Sequence, residues 1–252
     1  MRAFSLVELS IVLVILGLLT GGILAGQSLI RAAELRAVGT EYQRFYTGLQ
    51  SFRDKYGAIP GDMRNATAFW GKLSAYCNSD PGTALATGTC NGNGDGVVTG
   101  VGVADVSITR EEPQAWRQLS LAGLIEGDYS GVVAASAGVF DNPTSRLSMG
   151  EWRMRTMGNL TGAVAGTLVS TFALDYGNVF EVFASGSGNF ILTPAEGWNI
   201  DTKMDDGKPA QGKFIIRGWE FCTDAAARTD TSADYNLSDD DKLCNVAMFR
   251  NL

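Results

Sequence analysis

The chain has no histidine among its 252 residues. That removes Ser-His-Asp and Cys-His nucleophile pairs and most zinc sites at once. Proline is scarce as well: there are 6, the first at Pro60, so no residue before it forces a helix to stop. Charge is missing from one long stretch, because Glu8 is the only charged residue in the 27 from Phe4 to Ile30. A basic surplus is also missing: residues 58–252 hold 14 Lys or Arg against 23 Asp or Glu. An acidic body of this kind argues against nucleic-acid partners, whose binding depends on neutralising phosphates.

The uncharged stretch, FSLVELSIVLVILGLLTGGILAGQSLI, is the dominant feature. As a helix it would reach roughly 40 Å, enough to cross a hydrocarbon core of about 30 Å with some tilt. No A-x-A-like site follows it, so it is expected to be retained rather than removed as a secretory signal. Arg2 and the α-amine favour a cytoplasmic N-terminus, with everything after the span on the far side. Glu8 is the anomaly. A carboxylate inside a membrane helix costs on the order of 3 kcal/mol, so retaining one calls for a cation to meet it.

Phe4-Ser5-Leu6-Val7-Glu8-Leu9, followed by an apolar run, resembles the N-terminal motif of type IV pilins and type II secretion pseudopilins. The resemblance implies a prepilin peptidase that cuts between Ala3 and Phe4 and N-methylates Phe4. It further implies that Glu8 pairs with the Phe4 amine, on its own or a neighbouring subunit, as subunits stack into a filament. Two departures are visible: Ala3 stands where the family usually has Gly, and no proline interrupts the span. Gly17, Gly21, Gly22 and Gly26 are there instead.

Beyond Ile30 apolar residues recur at Val38, Tyr42, Phe45, Leu49, Phe52 and Tyr56, in steps of three and four that place them on one helical face. Gly57 is the expected C-cap and Pro60 the stop. The chain therefore divides into a leader (1–3), a transmembrane or filament-core helix (4–30), its amphipathic continuation (31–57) and a globular head (58–252). Asp62 is the expected N-cap of a short helix over Met63–Gly71. Thr109-Arg-Glu-Glu112 and Thr193-Pro-Ala-Glu196 read as capping boxes, the first opening a helix ended by Gly127 and the second one running to about Met204. Strands are expected at Leu147–Met157, Thr167–Leu174, Asn178–Ala184 and Lys213–Phe221. The fold class is α+β, with antiparallel hairpins packed beside the long helix.

Four cysteines allow three pairings, and spacing favours Cys77–Cys90 and Cys222–Cys244. Disulfides fit a head outside the cytoplasm, and each closed loop would contribute roughly 3 kcal/mol. The second loop also resembles the C-terminal disulfide-bounded region of type IV pilins. Asn91-Gly-Asn93-Gly-Asp95-Gly96 matches the first half of an EF-hand calcium loop, but the closing position is Gly102, so Glu112 or Glu111 would have to complete a set with Asn91, Asn93 and Asp95. The alternative is a glycine-rich turn in which Asn and Asp are turn formers. Asp201, Asp205, Asp206 and the run Asp239–Asp241 are further acidic groups; major pseudopilins use a C-terminal acidic loop for calcium, while an exposed acidic run is ordinarily a solvated face. Trp152, Trp198 and Trp219 offer either a sugar platform or core positions.

Three readings stay open. A pilus-like filament subunit would have as partners copies of itself, other pilins or pseudopilins, the prepilin peptidase and an inner-membrane assembly platform. It would sit in a bacterial inner membrane as a single pass with its head in the periplasm, then in a pilus or pseudopilus. A type II secretion pseudopilin would use the same parts to export folded proteins. A membrane-anchored periplasmic enzyme is the third reading, and the missing histidines weigh against it. No motif demands a cofactor, and calcium is the one candidate.

Overall fold

A computed structural model of the chain describes residues 6–73, 77, 80–100, 111–134, 139–162, 170–184, 190–244 and 246–250. The predicted long helix is α1, Leu6–Tyr56, unbroken over 51 residues. It closes as expected: Gly57 takes φ 65° and donates its N–H to the Arg53 carbonyl at 2.8 Å. The other helices are α2 (Ala66–Trp70), α3 (Glu111–Leu121), α4 (Pro194–Met204) and α5 (Trp219–Cys222). Four two-residue strands form two small ladders: β1 (Lys72–Leu73) with β2 (Ala84–Leu85), and β3 (Val133–Ala134) with β4 (Val139–Phe140). The main sheet contains β5 (Gly150–Thr156), β6 (Asn178–Ala184), β7 (Phe214–Arg217) and β8 (Val246–Arg250). Its order is β5-β6-β8-β7, with every pairing antiparallel. The α+β class is therefore the observed one.

The core lies between the upper half of α1 and one face of this sheet. Val38, Tyr42, Phe45, Leu49 and Phe52 are all buried, while Tyr56, at the end of the stripe, is only half-buried. Alternation along the strands turns Trp152, Met154, Phe180, Val182, Phe214 and Phe249 toward them. The contacts are largely aromatic: Tyr42 stacks on Phe249 at 4.1 Å, and Phe45 meets Trp116 and Trp152 edge-on at 4.9 and 5.5 Å. Trp152 is thus core; Trp198 is exposed, and these tryptophans do not make a shared platform.

One charge sits inside this apolar interface. Glu41 accepts from the Trp152 indole N–H (2.8 Å), the Ser145 hydroxyl (2.7 Å) and the Arg146 backbone N–H (2.8 Å). Three donors satisfy a carboxylate that burial would otherwise penalise. On the other sheet face Arg155 pairs with Glu181 at 2.8 Å, and Arg153 lies over the Phe183 ring.

Several expectations change. Asp62 does not cap α2, whose N-cap is Asn65 without a side-chain bond. Helix α3 ends before Gly127, because Gly123 (φ 72°) takes the left-handed terminating position and the Leu124 N–H returns to the Leu119 carbonyl. Thr109 of the first capping box lies outside the described residues. Of Thr167–Leu174, residues 170–174 are described and they are not a strand. The strand expected over Lys213–Phe221 stops at Arg217, since Gly218 at φ 99° turns the chain into α5. Central strand β8 was not anticipated. The Thr193 capping box is present in full, and α4 ends at Met204 as expected.

Candidate functional site

The lower half of α1 contrasts with its upper half. From Leu6 to Leu24 every residue is exposed, and a Cβ added at Gly17, Gly21, Gly22 or Gly26 would meet nothing within 4 Å. Ser10, Thr20 and Ser28 turn their hydroxyls back onto α1 carbonyls three or four residues earlier, so they expose little unsatisfied polarity. This segment is long and apolar enough to cross a membrane. Glu8 stands in its first turn, on the exposed surface. Ala3 and Phe4, the proposed cleavage and methylation positions, lie outside the described residues.

Where the apolar half ends, Arg31 joins the helix to the head. Its guanidinium reaches Glu196 (2.5 and 2.7 Å), Glu34 (2.9 Å) and the Ile191 carbonyl (2.7 Å). Glu196 also completes the α4 capping box, so one carboxylate fixes the start of α4 and its seat on α1. Burial works against the charge on Glu196, but the Arg31 hydrogen bonds prevail and hold its carboxyl below the usual range.

The cysteines pair as expected, Cys77 with Cys90 and Cys222 with Cys244. The glycine-rich loop that follows Cys90 is built around a carboxylate from outside it, that of Asp62. Asp62 is buried, and its two oxygens accept the N–H groups of Gly94, Asp95 and Gly96. The backbone comes close enough to demand glycine: a Cβ at Gly92 would lie 2.4 Å from the Asp62 backbone. Asn93 and Asp95 accept from backbone N–H groups two residues on, as turn formers do.

Of the four proposed calcium ligands, Asn93 and Asp95 lie together, the Asn93 amide donating to Asp95 at 2.9 Å, while the other two are engaged elsewhere. Asn91 accepts from the Thr67 N–H, and Glu112 is an ion-pair partner of Arg153 at 3.4 Å. Its neighbour Glu111 takes the expected place instead, accepting from the Asn93 and Thr99 N–H groups, and forms with Asp62 and Asp95 a trio whose oxygens lie within 4.8 Å. Burial, with Asp62 nearby, pushes the Glu111 carboxyl up despite those N–H bonds. Such a trio can hold a hard cation only on lone pairs not already aimed at N–H groups. A second trio, Asp201, Asp205 and Asp206, gathers at the end of α4. There Asp201 accepts from the Tyr235 hydroxyl at 2.8 Å and the Gly207 N–H at 3.1 Å. Burial raises its carboxyl to about 7.

Sequence reasoning missed Glu41, Arg31–Glu196 and the role of Asp62. Glu41 carried a signal: a lone acid between Val38 and Tyr42, on the face meant to be apolar. No family model, curated protein or solved structure matches the chain.

Proposed function

We propose that the chain is a structural subunit of a type IV pilus-like filament. In this reading prepilin peptidase cuts between Ala3 and Phe4 and methylates Phe4. The subunit waits in the inner membrane with its head in the periplasm, and an assembly platform then stacks it with other copies. The observation that carries the reading is the apolar half of α1, exposed from Leu6 to Leu24 with Glu8 near its start, continuous with a half locked into the head. A plain anchor has no use for the carboxylate. Within a filament the same side chains meet other helices, and Glu8 meets the Phe4 amine of a neighbour, a contact that sets register.

The test is Glu8→Ala in the full chain. Processing should continue while sheared filaments seen by electron microscopy fall to background; normal filaments would sink the proposal. A second reading, a type II secretion pseudopilin, is favoured by one observation: no proline breaks α1. Deleting the chain from its host separates the two, through loss of surface filaments or loss of exported folded proteins.

A further inference from the structure

Beside α1, on the upper half, an open groove of about 540 Å³ is bounded by Arg36, Thr40, Arg44, Ser145 and Arg146. Its floor is Glu41, whose charge is already enclosed by three donors. Arg36, Arg44 and Arg146 are exposed, and no ion pair is found for any of them among the described residues. Three guanidinium groups with no carboxylate partner among the described residues therefore line one groove on a protein whose net charge is −7, Arg44 also lying over the Phe45 ring at 4.8 Å. Its strongest counterpart is the Cys222–Cys244 loop, which has six Asp against Arg228 and Lys242, and in which Asp240 and Asp241 are exposed.

The two surfaces lie on different sides of α1. Helix α4 covers the Gly39 side, where an added Cβ would touch the Met204 sulfur at 2.6 Å. The acidic loop is held on α4 through Tyr235 and Asp201. Arg36, Thr40 and Arg44 lie roughly 60°, 100° and 140° around the helix from Gly39, at 3.6 residues per turn. Their heights also differ. Arg31 bonds the Ile191 carbonyl and the Ile191 N–H bonds the Cys244 carbonyl, so the loop closes level with Arg31. The groove begins a few residues higher.

We propose that this groove receives the Asp239–Asp241 run of a second copy of the chain. Two unlike surfaces on different sides of α1 make a heterologous contact, which, combined with a step along the helix axis, repeats as a helical polymer rather than closing into a ring. The inference rests on the filament reading for its register. If the Phe4 amine of one copy meets Glu8 of the next, copies step by four residues, about 6 Å at 1.5 Å per residue. One to three such steps lift the closing end of the loop, at Cys244, from the level of residue 31 to that of residues 35–43, beside the groove. The contact should weaken with salt, as exposed charge pairs do.

The test uses full-length chains in membranes, co-expressing a Thr40→Cys copy with an Asp240→Cys copy. Mild oxidation should link the two. Arg36→Glu with Arg44→Glu and Arg146→Glu in the first copy should lower the link at least tenfold; Asp239→Lys with Asp241→Lys in the second should restore most of it. Absence of the link in wild-type background, or loss without rescue, overturns the proposal; the latter points to another anion, such as a phospholipid headgroup. A link formed in cells that make no filaments upholds the groove and defeats the filament reading, whereas filaments without a link do the reverse.

Discussion

The two halves of α1 are one helix under two different demands. From Val38 upward the buried positions belong to the core of the head, Tyr42 on Phe249 and Phe45 on Trp116 and Trp152 among them, and even glycine is constrained: a Cβ at Gly48 would press on Ile125 at 3.3 Å, and one at Gly39 on Met204. Below Arg31 the glycines face open space. Continuous helical hydrogen bonding can satisfy the backbone of both halves, but only the upper half finds its packing within the chain. The difference teaches that the lower half finds no packing among the described residues; on the reading proposed above, lipid completes it first and other copies afterwards. Four glycines there suit close approach between helices, as small residues do in membranes.

The comparison can be broken most forcefully at its two carboxylates. Glu8→Ala should reduce filament yield by about a hundredfold, on the scale of about 3 kcal/mol for removing one partner of a buried pair, without changing the stability of the head. Glu41→Ala should do the opposite. It strands the donors of Trp152, Ser145 and Arg146, and chemical denaturation should show a loss of about 3 kcal/mol. Equal effects of both variants on both readouts would erase the distinction.

A smaller effect concerns pH. Asp201 has its carboxyl raised to about 7 in the fold by burial, opposed by the Tyr235 hydrogen bond and reinforced by Asp206 and Asp205. The unfolded value is about 3.9, so the protonated form favours folding, and that stability is lost as pH rises from about 4 through about 7. With a chelator present, the head should be less stable at pH 8 than at pH 5 by on the order of 2 kcal/mol, and Asp201→Asn should flatten the profile. A flat wild-type profile would contradict the burial argument.

The smallest effect on the single chain is expected at the lower glycines. Gly21→Ala with Gly22→Ala should leave head stability unchanged and firm the helix by about 1 kcal/mol per site. Any assembly defect then reports contact between copies. Gly39→Ala, by contrast, should destabilise the head measurably, because Met204 has to move.

What could be read from the sequence was local. The stripe from Val38 to Phe52, the Gly57 stop, the Thr193 capping box and the two disulfides each declare themselves within a short span of chain. What escaped acts at a distance. Asp62 serves N–H groups 32 to 34 residues onward, so its position before a short helix suggested a cap instead. Strand β8 is five residues ending in Arg250, too short for its alternation to show, and it is fixed by pairing with β6 and β7. The choice between Glu111 and Glu112 depended on which way α3 turned, and Arg153 claims the latter.

The central claim is that the lower half of α1 is completed by the lower halves of other copies. A helical reconstruction of sheared filaments tests it most directly. The account predicts Leu6–Ile30 segments packed on one another along the filament axis, with each Glu8 carboxylate within hydrogen-bond distance of a neighbouring Phe4 amine. Filaments held together by heads alone, with these segments apart and Glu8 facing no amine, would contradict it.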